Sequence, residues 1–312
     1  MLGSFVANIF QSIRDFFSRI FSSSPSPNGL NNEATTAPLS QTQIEDIDKQ
    51  SLKSQPPQLI AGSGRHVGRQ RDNNEDALFS HTATIAVDSN DVPFGLYIVA
   101  DGMGGHRNGE IASENAVRAM SSYVLGKLVE PLFGPNPGHP EESLQEIMHD
   151  GVIHAHQVIM ENAPGGGSTL TAALVMGNQM TVAHVGDSRA YAVYFDGRMQ
   201  VLTRDHSLVK RLEELGQITS DEAAVHPQKS MLYRALGQGE PSEPDVFNAS
   251  LPQPGYLLIC SDGLWGLVSD DAMFDIITAA PSPHKACQQL VDAANAAGGQ
   301  DNIAVTLVRM SN

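Results

Sequence analysis

From about residue 60 onward the chain consists largely of short apolar runs, and these runs constrain the fold more than any other feature. Such runs, bounded by turn-forming residues, are typical of β-strands. They lie at 95–100, 169–175, 180–185, 190–195, 256–260 and 303–308. Asp196-Gly197, between two such stretches, predicts a hairpin. Longer helical patterns occur at about 107–130, 141–161 and 284–297, and because they do not alternate regularly with the strands, we expect a mixed α+β layered fold.

Composition and charge narrow the class of protein. A chain of 312 residues with 41% hydrophobic content can bury a proper core. Its two cysteines, Cys260 and Cys287, are too few for a disulfide framework, and no signal-peptide pattern is present, so we expect a reduced, cytoplasmic setting. The formal charge of −16 opposes nucleic acid as a partner, because binding to a phosphate backbone needs clustered Lys and Arg. No apolar run reaches the roughly 18 residues that a membrane-spanning helix needs.

The N-terminal part of the chain differs from the rest in its composition and in its pattern of apolar residues. Apolar residues recur every three or four positions over 1–21, which predicts an amphipathic helix. This helix would lie peripherally on a membrane surface, dock on a partner, or pack on its own domain. Residues 22–58 are rich in Ser, Pro, Asn, Gln and Thr and predict a flexible linker. The acidity belongs to the domain at 59–312, because 15 basic and 30 acidic residues follow position 55, against 4 and 5 before it.

Four separated aspartates occupy similar positions relative to the predicted strands. Asp101 and Asp262 each follow an apolar run and precede glycine, whereas Asp76 and Asp301 come shortly before an apolar run. A single Asp in such a place is usually turn chemistry. Four of them at strand ends can instead be held together at one rim of the fold.

Several carboxylates cannot converge in a low-dielectric rim as bare anions, because their repulsion raises their pKa values or separates them. Cations relieve this repulsion. Oxygen ligands favour Mg²⁺ or Mn²⁺ over zinc, which would call for His or Cys. Two such ions can polarise a phosphoryl oxygen and convert water to hydroxide near neutral pH.

Six short strings, in order along the chain, resemble the motifs of the type 2C (PPM) family of protein phosphatases, particularly its bacterial members. They are Arg71-Asp72-Asn73-Asn74-Glu75-Asp76, Asp101-Gly102-Met103-Gly104-Gly105, Gly167-Ser168-Thr169, Gly186-Asp187-Ser188-Arg189-Ala190, Ser261-Asp262-Gly263 and Gly299-Gln300-Asp301-Asn302. The resemblance covers roughly residues 62–310. It implies a four-layer α-β-β-α sandwich with two central antiparallel sheets, a small helical flap, and a dinuclear Mn²⁺ or Mg²⁺ site at one edge.

The resemblance also implies a role for individual residues. Asp76 and Asp101 would be bridging or direct metal ligands, joined by the carbonyl of Gly102. Asp262 and Asp301 would bind one of the two metals, Glu75 would act through water, and Asp187 would help Asp262 to hold a third, weaker metal. Arg71 would bind the substrate phosphate, for which its planar guanidinium is suited. The alternatives are a surface salt bridge for Arg71 and a turn for Asp187.

One position departs from the pattern of the animal members, which have a histidine directly after Asp-Gly where this chain has Met103. Met103 cannot deliver a proton to a leaving group. His106 follows three residues later, but its position favours a helix-start or structural role, and metal-bound water is the other candidate acid.

Residues 205–240 match the flap of the family, which borders the active site and influences substrate access. Leu208, Val209, Leu212 and Leu215 form one apolar helical face that ends at Gly216. Thr219-Ser220-Asp221-Glu222 has the spacing of a capping box. The segment therefore predicts a small helical insertion, with a simple connector as the alternative.

We therefore expect a metal-dependent protein Ser/Thr phosphatase that hydrolyses phosphoserine and phosphothreonine by direct attack of metal-activated water. Its partners would be phosphorylated proteins, with Ser/Thr kinases among the candidates. The alternative is a non-catalytic regulatory or binding module of the same fold, although every core ligand position is filled. A metal-dependent nuclease is opposed by the acidic domain.

Overall fold

The computed structural model describes residues 57–87, 90–104, 107–135, 138, 140–240 and 243–311. The predicted helix at 1–21, most of the predicted linker at 22–58, and His106 lie outside the described residues. Within these ranges, no helix combines the length and the apolar character needed to cross a membrane.

The strands of the described ranges form two antiparallel sheets. In chain order they are β1 (Leu59–His66), β2 (Asp76–Val87), β3 (Asn90–Met103), β4 (Gly167–Ser168), β5 (Leu170–Met176), β6 (Gln179–Val185), β7 (Arg189–Tyr194), β8 (Met199–Val201), β9 (Asp245–Ser250), β10 (Gly255–Cys260) and β11 (Ile303–Met310). Sheet one has the order β1-β11-β10-β7-β8, and sheet two has the order β2-β3-β5-β6-β9, with β4 paired to β3. Every pairing is antiparallel, as expected from the strand pattern.

The helices of the described ranges are α1 (Arg107–Phe133), α2 (Leu144–Asn162), α3 (Leu208–Glu214), α4 (Ser220–Ala224), α5 (Asp262–Trp265), α6 (Asp270–Ala279) and α7 (Pro283–Ala296). Four of them, α1, α2, α6 and α7, cover the outer faces of the two sheets. Helices α1 and α2 share a buried apolar cluster with sheet two, and α6 and α7 share another with sheet one. A third cluster fills the space between the sheets. The predicted four-layer α-β-β-α sandwich is therefore confirmed.

Alternation along single strands shows why these residues form this sandwich. In β3, Leu96 and Ile98 face the helices, whereas Tyr97 and Val99 face the other sheet. In β10, Leu258 faces the helices and Ile259 faces the other sheet. Since successive side chains point to opposite faces of a strand, a strand in a central layer needs apolar residues at every position. This requirement explains the continuous apolar runs in the sequence.

Most predicted local features are present. The hairpin at Asp196-Gly197 joins β7 to β8, and Gly197 has φ 98°, a left-handed conformation that favours glycine. Strand β3 extends beyond the apolar run at 95–100, because it continues through Asp101 to Met103. Gly102 and Met103 pair with Ser168 and Gly167 of β4, and this long-range pairing extends the strand.

The segment between β8 and β9 carries the two short helices of the predicted flap. Helix α3 begins after the N-cap Ser207, and Gly216 beyond its end has φ 67°. Helix α4 begins with the predicted capping box, in which Thr219 and Glu222 exchange hydrogen bonds. Neither helix has a fully buried residue, so the flap is a lightly packed insertion.

Candidate active site

The two sheets end side by side, and their strands bring the predicted aspartates together. Asp76 and Asp101 lie directly opposite each other in the pairing of β2 with β3. Asp262 follows β10 and Asp301 precedes β11, and these neighbouring antiparallel strands place both residues at the same end of sheet one. A hydrogen bond of 2.7 Å from Ser261 Oγ to Asp76 Oδ2 joins the two sheets at this rim.

A cleft opens at this rim and gathers most of the predicted site residues. Asp76 lies beneath it and is 2% exposed. The cleft is lined by Arg71, Glu75, Asp101, Gly102, Met103, Gly104, Thr169, Asp187, Ser230, Leu232, Asp262, Asp301 and Asn302. The chain segment at Ser230 and Leu232 belongs to the flap, so the flap forms one wall of the cleft.

The aspartates of this rim perturb one another strongly. Burial raises the pKa of Asp76 to about 8, opposed by the Ser261 hydrogen bond and assisted by the charge of Asp262. Burial and the charge of Asp76 raise the pKa of Asp101 well above its ordinary value. Burial and the charge of Asp301 raise the pKa of Asp262 to about 6, although its hydrogen bond to Asp101 acts in the opposite direction. Without a cation, these carboxyl groups hold protons that isolated carboxyl groups release.

Two carboxylate oxygens of the rim have no hydrogen-bond partner although they are buried, namely Asp76 Oδ1 and Asp262 Oδ1. An unsatisfied buried carboxylate oxygen is costly, and a hard cation satisfies it without a proton. The donor set therefore fits Mg²⁺ or Mn²⁺. Among the described residues, no three His, Cys, Asp or Glu side chains are arranged as a metal-binding group. The predicted ligand set, with the Gly102 carbonyl, stays a prediction.

Glycines allow the backbone to approach closely at this rim. Gly102 donates its N–H to the carbonyl of Glu75 at 3.1 Å, and a Cβ at position 102 would overlap the Gly109 carbonyl. A Cβ at Gly109 would in turn overlap the Glu75 carboxylate. Glu75 is thus confined beside the predicted ligand Gly102, and the sequence-based role through water stays a prediction.

Asn302 connects the segment that leads to Glu75 and Asp76 with the segment that carries Asp301. Its side-chain oxygen accepts from Glu75 N at 2.7 Å, and its amide donates to the carbonyls of Val67 and Asn73 at 2.8 and 2.9 Å. Its own N–H donates to Asp301 Oδ1 at 2.9 Å. Asn302 therefore positions Glu75 and Asp301 together. Its place next to Asp301 in the Gly299–Asn302 string was the signal for this role.

Arg71 lies at the mouth of the cleft. Its Nη2 donates to Asp301 Oδ2 at 2.8 Å, and the two side chains are 54% and 36% exposed. A salt bridge is thus present, and it is formed with a residue of the site. Its predicted contact with phosphate stays a prediction.

Asp187 also lines the cleft and is 7% exposed. Burial and the charge of Asp262 raise its pKa well above the ordinary value. The Trp265 indole donates to the carbonyl of Asp187 at 3.0 Å, and the Arg189 guanidinium stacks over the Trp265 ring at 3.6 Å. Arg189 also forms three hydrogen bonds to Asp205, of 3.0, 3.3 and 2.7 Å. The structure thus brings Asp187 to the site, supported by neighbours that sequence reasoning missed.

Further polar residues missed by sequence reasoning hold Asp101. Thr169 Oγ1 accepts from Asp101 N at 2.9 Å and is hydrogen-bonded to Ser188 Oγ at 2.7 Å. Ser168 Oγ donates to the Asp101 carbonyl at 3.1 Å. Ser168, Thr169 and Ser188 all occur in the quoted strings, so their proximity to the aspartates was the available signal.

Met103 lines the cleft at the position where the animal members have histidine. The thioether cannot donate a proton. This part of the structure therefore agrees with the predicted departure from the animal pattern.

Comparisons with known proteins give one consistent family. The family model for Protein phosphatase 2C matches residues 60–303. A curated relative, the Serine/threonine phosphatase stp of Listeria welshimeri, is 36% identical over 248 residues, which cover 77% of this chain and 92% of the relative.

Solved structures show the same fold. The serine/threonine phosphatase of S. agalactiae is 33% identical with a TM-score of 0.68, over 80% of this chain and 98% of that one. The catalytic domain of the serine/threonine protein phosphatase PstP, in complex with two manganese ions, is 29% identical with a TM-score of 0.66. That match covers 82% of this chain and all of the PstP chain.

Proposed function

The chain belongs to the protein phosphatase 2C family, and from this premise we propose that it hydrolyses phosphoserine and phosphothreonine in proteins at the carboxylate rim. The predicted membership of this family and the predicted enzyme class, a Ser/Thr protein phosphatase, are confirmed. Beyond the enzyme class, we propose which residues form the site, which ions they bind and how the reaction proceeds. Water attacks the phosphorus directly, without a covalent intermediate on the enzyme.

The observation that carries the proposal is the cluster of aspartates at the rim, in which Asp76 Oδ1 and Asp262 Oδ1 are buried without a hydrogen-bond partner. Asp76, Asp101 and the Gly102 carbonyl would hold two Mn²⁺ or Mg²⁺ ions together with Asp262 and Asp301, and Glu75 would contribute through water. Asp187 would help Asp262 to hold a third ion. When bound, such ions polarise a phosphoryl oxygen and lower the pKa of water.

The residues of the chain supply orientation and charge. Arg71 stands at the mouth of the cleft, where its guanidinium can hold two phosphate oxygens while Asp301 keeps it in place. Ser261 and Thr169 hold Asp76 and Asp101 through the hydrogen bonds described above. Since Met103 has no proton to donate, the leaving alkoxide takes its proton from another source.

Phosphorylated proteins are the proposed substrates, and Ser/Thr kinases are candidate partners among them. Residues 1–21 supply a proposed peripheral contact with a membrane or with a partner protein. Co-sedimentation of the full chain with liposomes, compared with a chain lacking residues 1–55, tests the membrane contact. Equal pelleting of the two chains would rule out membrane targeting by this segment.

Activity on a phosphothreonine peptide with Mn²⁺ tests the proposed chemistry. We expect chelator to abolish the activity and Asp262→Asn to lower kcat by about 10²-fold or more, because the variant removes a charge that holds the ions. Asp275→Asn is the matched control, since Asp275 is an exposed carboxylate of α6 outside the cleft. Activity that survives chelator, or an Asp262→Asn variant as active as the control, would overturn the mechanism.

A further inference from the structure

The flap leaves and rejoins the body of the protein through two adjacent limbs. The outgoing limb is 206–208, and the returning limb is 231–234. Tyr233 N donates to the His206 carbonyl at 2.9 Å, Leu208 N donates to the Met231 carbonyl at 2.8 Å, and Ser207 bridges Leu232. Because the limbs are paired through their backbones, a contact that fixes the position of one limb also fixes the position of the other.

One carboxylate receives a hydrogen bond from each limb. Asp245, the first residue of the edge strand β9, lies 3.1 Å from His206 Nε2 through Oδ2. Its other oxygen, Oδ1, accepts from Arg234 Nη1 at 3.0 Å. We call these three residues the flap clasp.

The hydrogen bonds of His206 define its tautomer. Gly186 N donates to His206 Nδ1 at 3.1 Å, so Nδ1 carries the lone pair. The ring proton therefore lies on Nε2, which donates to Asp245. His206 N also donates to the Gly186 carbonyl at 2.7 Å, and the ring is 1% exposed. A buried residue that uses both ring nitrogens and its backbone in this way connects the flap to the loop that carries Asp187.

The returning limb, which carries Arg234 of the clasp, also forms part of the cleft wall. Ser230 and Leu232 line the cleft, and Leu232 lies in the limb that pairs with Ser207. Helices α3 and α4 contribute no fully buried residue that could hold this wall from the other side. Beyond the returning limb, Leu236 is fixed by an antiparallel bridge with Ser168, with backbone hydrogen bonds of 2.8 and 3.0 Å. The position of the wall over the cleft thus depends on the clasp together with this bridge.

We propose that His206, Asp245 and Arg234 are positioning residues, which hold the flap wall where a phosphorylated polypeptide docks beside the carboxylate rim. This inference rests on the proposed function and adds a distinct requirement to it. A protein substrate needs both the rim and the wall, whereas a small aryl phosphate needs the rim alone. Loss of the clasp therefore affects substrates unequally.

Steady-state kinetics with Mn²⁺ on a phosphothreonine peptide and on para-nitrophenyl phosphate test the proposal. We expect Asp245→Ala to raise KM for the peptide about tenfold, while kcat/KM for para-nitrophenyl phosphate changes less than about twofold. Asp245→Asn keeps one acceptor oxygen and should recover part of the peptide KM. Asp275→Ala, on α6, is the control and should change neither substrate.

Two variants of His206 each remove one of the two hydrogen bonds of its ring. The amide oxygen of His206→Asn can replace Nδ1 as the acceptor for Gly186, but it removes the donor to Asp245. His206→Gln does the reverse. We expect both variants to raise the peptide KM and to speed amide hydrogen exchange at 231–236, with the core strand β3 unchanged. Faster amide exchange in β3 of Asp245→Ala would mean that this variant disturbs the core. His206→Asn then replaces it in the kinetic comparison, with the same expected rise in peptide KM and the same small change in kcat/KM for para-nitrophenyl phosphate.

The outcomes distinguish this inference from the proposed function. A wild-type chain without activity on the peptide would refute the function itself. An active wild type whose clasp variants keep the wild-type peptide KM, or lose equal activity on both substrates, would overturn the inference. A rise confined to the peptide KM supports it.

Discussion

The carboxylate rim and the flap both line one cleft, but they are held in place by different means. At the rim, strand register and the end of a two-sheet core place the aspartates, with Asp76 opposite Asp101. The flap has short helices without fully buried residues, and it exposes large apolar side chains. These are Leu215, Val225, Met231 and Tyr233, from 45% to 81% exposed.

This difference separates two tasks of the enzyme. Chemistry at buried charges needs distances that do not vary, and rigid strands supply them. A surface that receives protein segments benefits from a lightly packed element, whose local stability can be low. The following predictions test whether the rim and the flap respond to substitution as this contrast requires.

The largest effect on stability is expected from Gly263→Ala at the rim. A Cβ at Gly263 would overlap the Asn302 carbonyl, so the variant has to displace the segment that carries Asp301. Such overpacking costs about 2 to 3 kcal/mol of unfolding free energy. For a domain of this size, this corresponds to roughly 5 to 10 °C in calorimetric Tm.

Gly126→Ala in α1 is the matched control for this prediction. Gly126 has no atom within 4 Å of the added Cβ, so alanine should raise the Tm slightly through its helix propensity. A Gly263→Ala variant that unfolds at the wild-type temperature would show that the rim is not rigid.

An intermediate effect is expected from pH and metal together. The folded-state pKa of Asp76 is raised to about 8 from 3.8, chiefly by burial. Its contribution to the stability of the metal-free protein is therefore fully present below about pH 4 and is lost as pH rises towards 8. Because a cation replaces the proton, stabilisation by Mg²⁺ should grow with pH by on the order of 1.4 kcal/mol per pH unit for each proton displaced.

Thermal unfolding at pH 6 and pH 8, with and without saturating Mg²⁺, measures this dependence. The Mg²⁺-induced rise in Tm should be larger at pH 8. An equal rise at both values would indicate that cations do not bind at the protonated aspartates.

The smallest effect is expected from two equivalent helix caps. Ser143 and Thr219 both form capping boxes, but α2 has seven buried residues and α4 has none. Removing either cap costs about 1 kcal/mol of local helix stability. Ser143→Ala should lower the Tm by roughly 2 to 4 °C, whereas Thr219→Ala should change it by less than about 1 °C. Equal losses in Tm would mean that the flap unfolds cooperatively with the core.

The rim was largely predictable from the sequence because each aspartate belongs to a string tied to a strand end. The layered fold was predictable for a related reason, since strands in central layers are apolar at every position. The extension of β3 to Met103 was not predictable locally, because glycines around Asp101 indicate a turn and the partner β4 lies far along the chain.

The contacts of the flap were the least predictable part of the site. His206 and Asp245 are 39 residues apart, and Trp265 and the Asp187 carbonyl are 78 apart. No periodicity or spacing links such pairs, because tertiary packing decides where each side chain points. The sequence predicted the helices and caps of the flap, and the structure adds how its limbs are fastened.

The central claim is that the four aspartates of the rim hold the ions on which hydrolysis depends. Calorimetric titration of metal-free protein with Mn²⁺ tests it most directly, with Asp101→Asn compared with wild type and Asp275→Asn as the control. We predict at least two ions per wild-type chain and per control chain, with the third ion proposed at Asp187 binding more weakly. For Asp101→Asn we predict the loss of at least one ion or an affinity weakened by about tenfold or more. Unchanged Mn²⁺ binding by Asp101→Asn would contradict the claim.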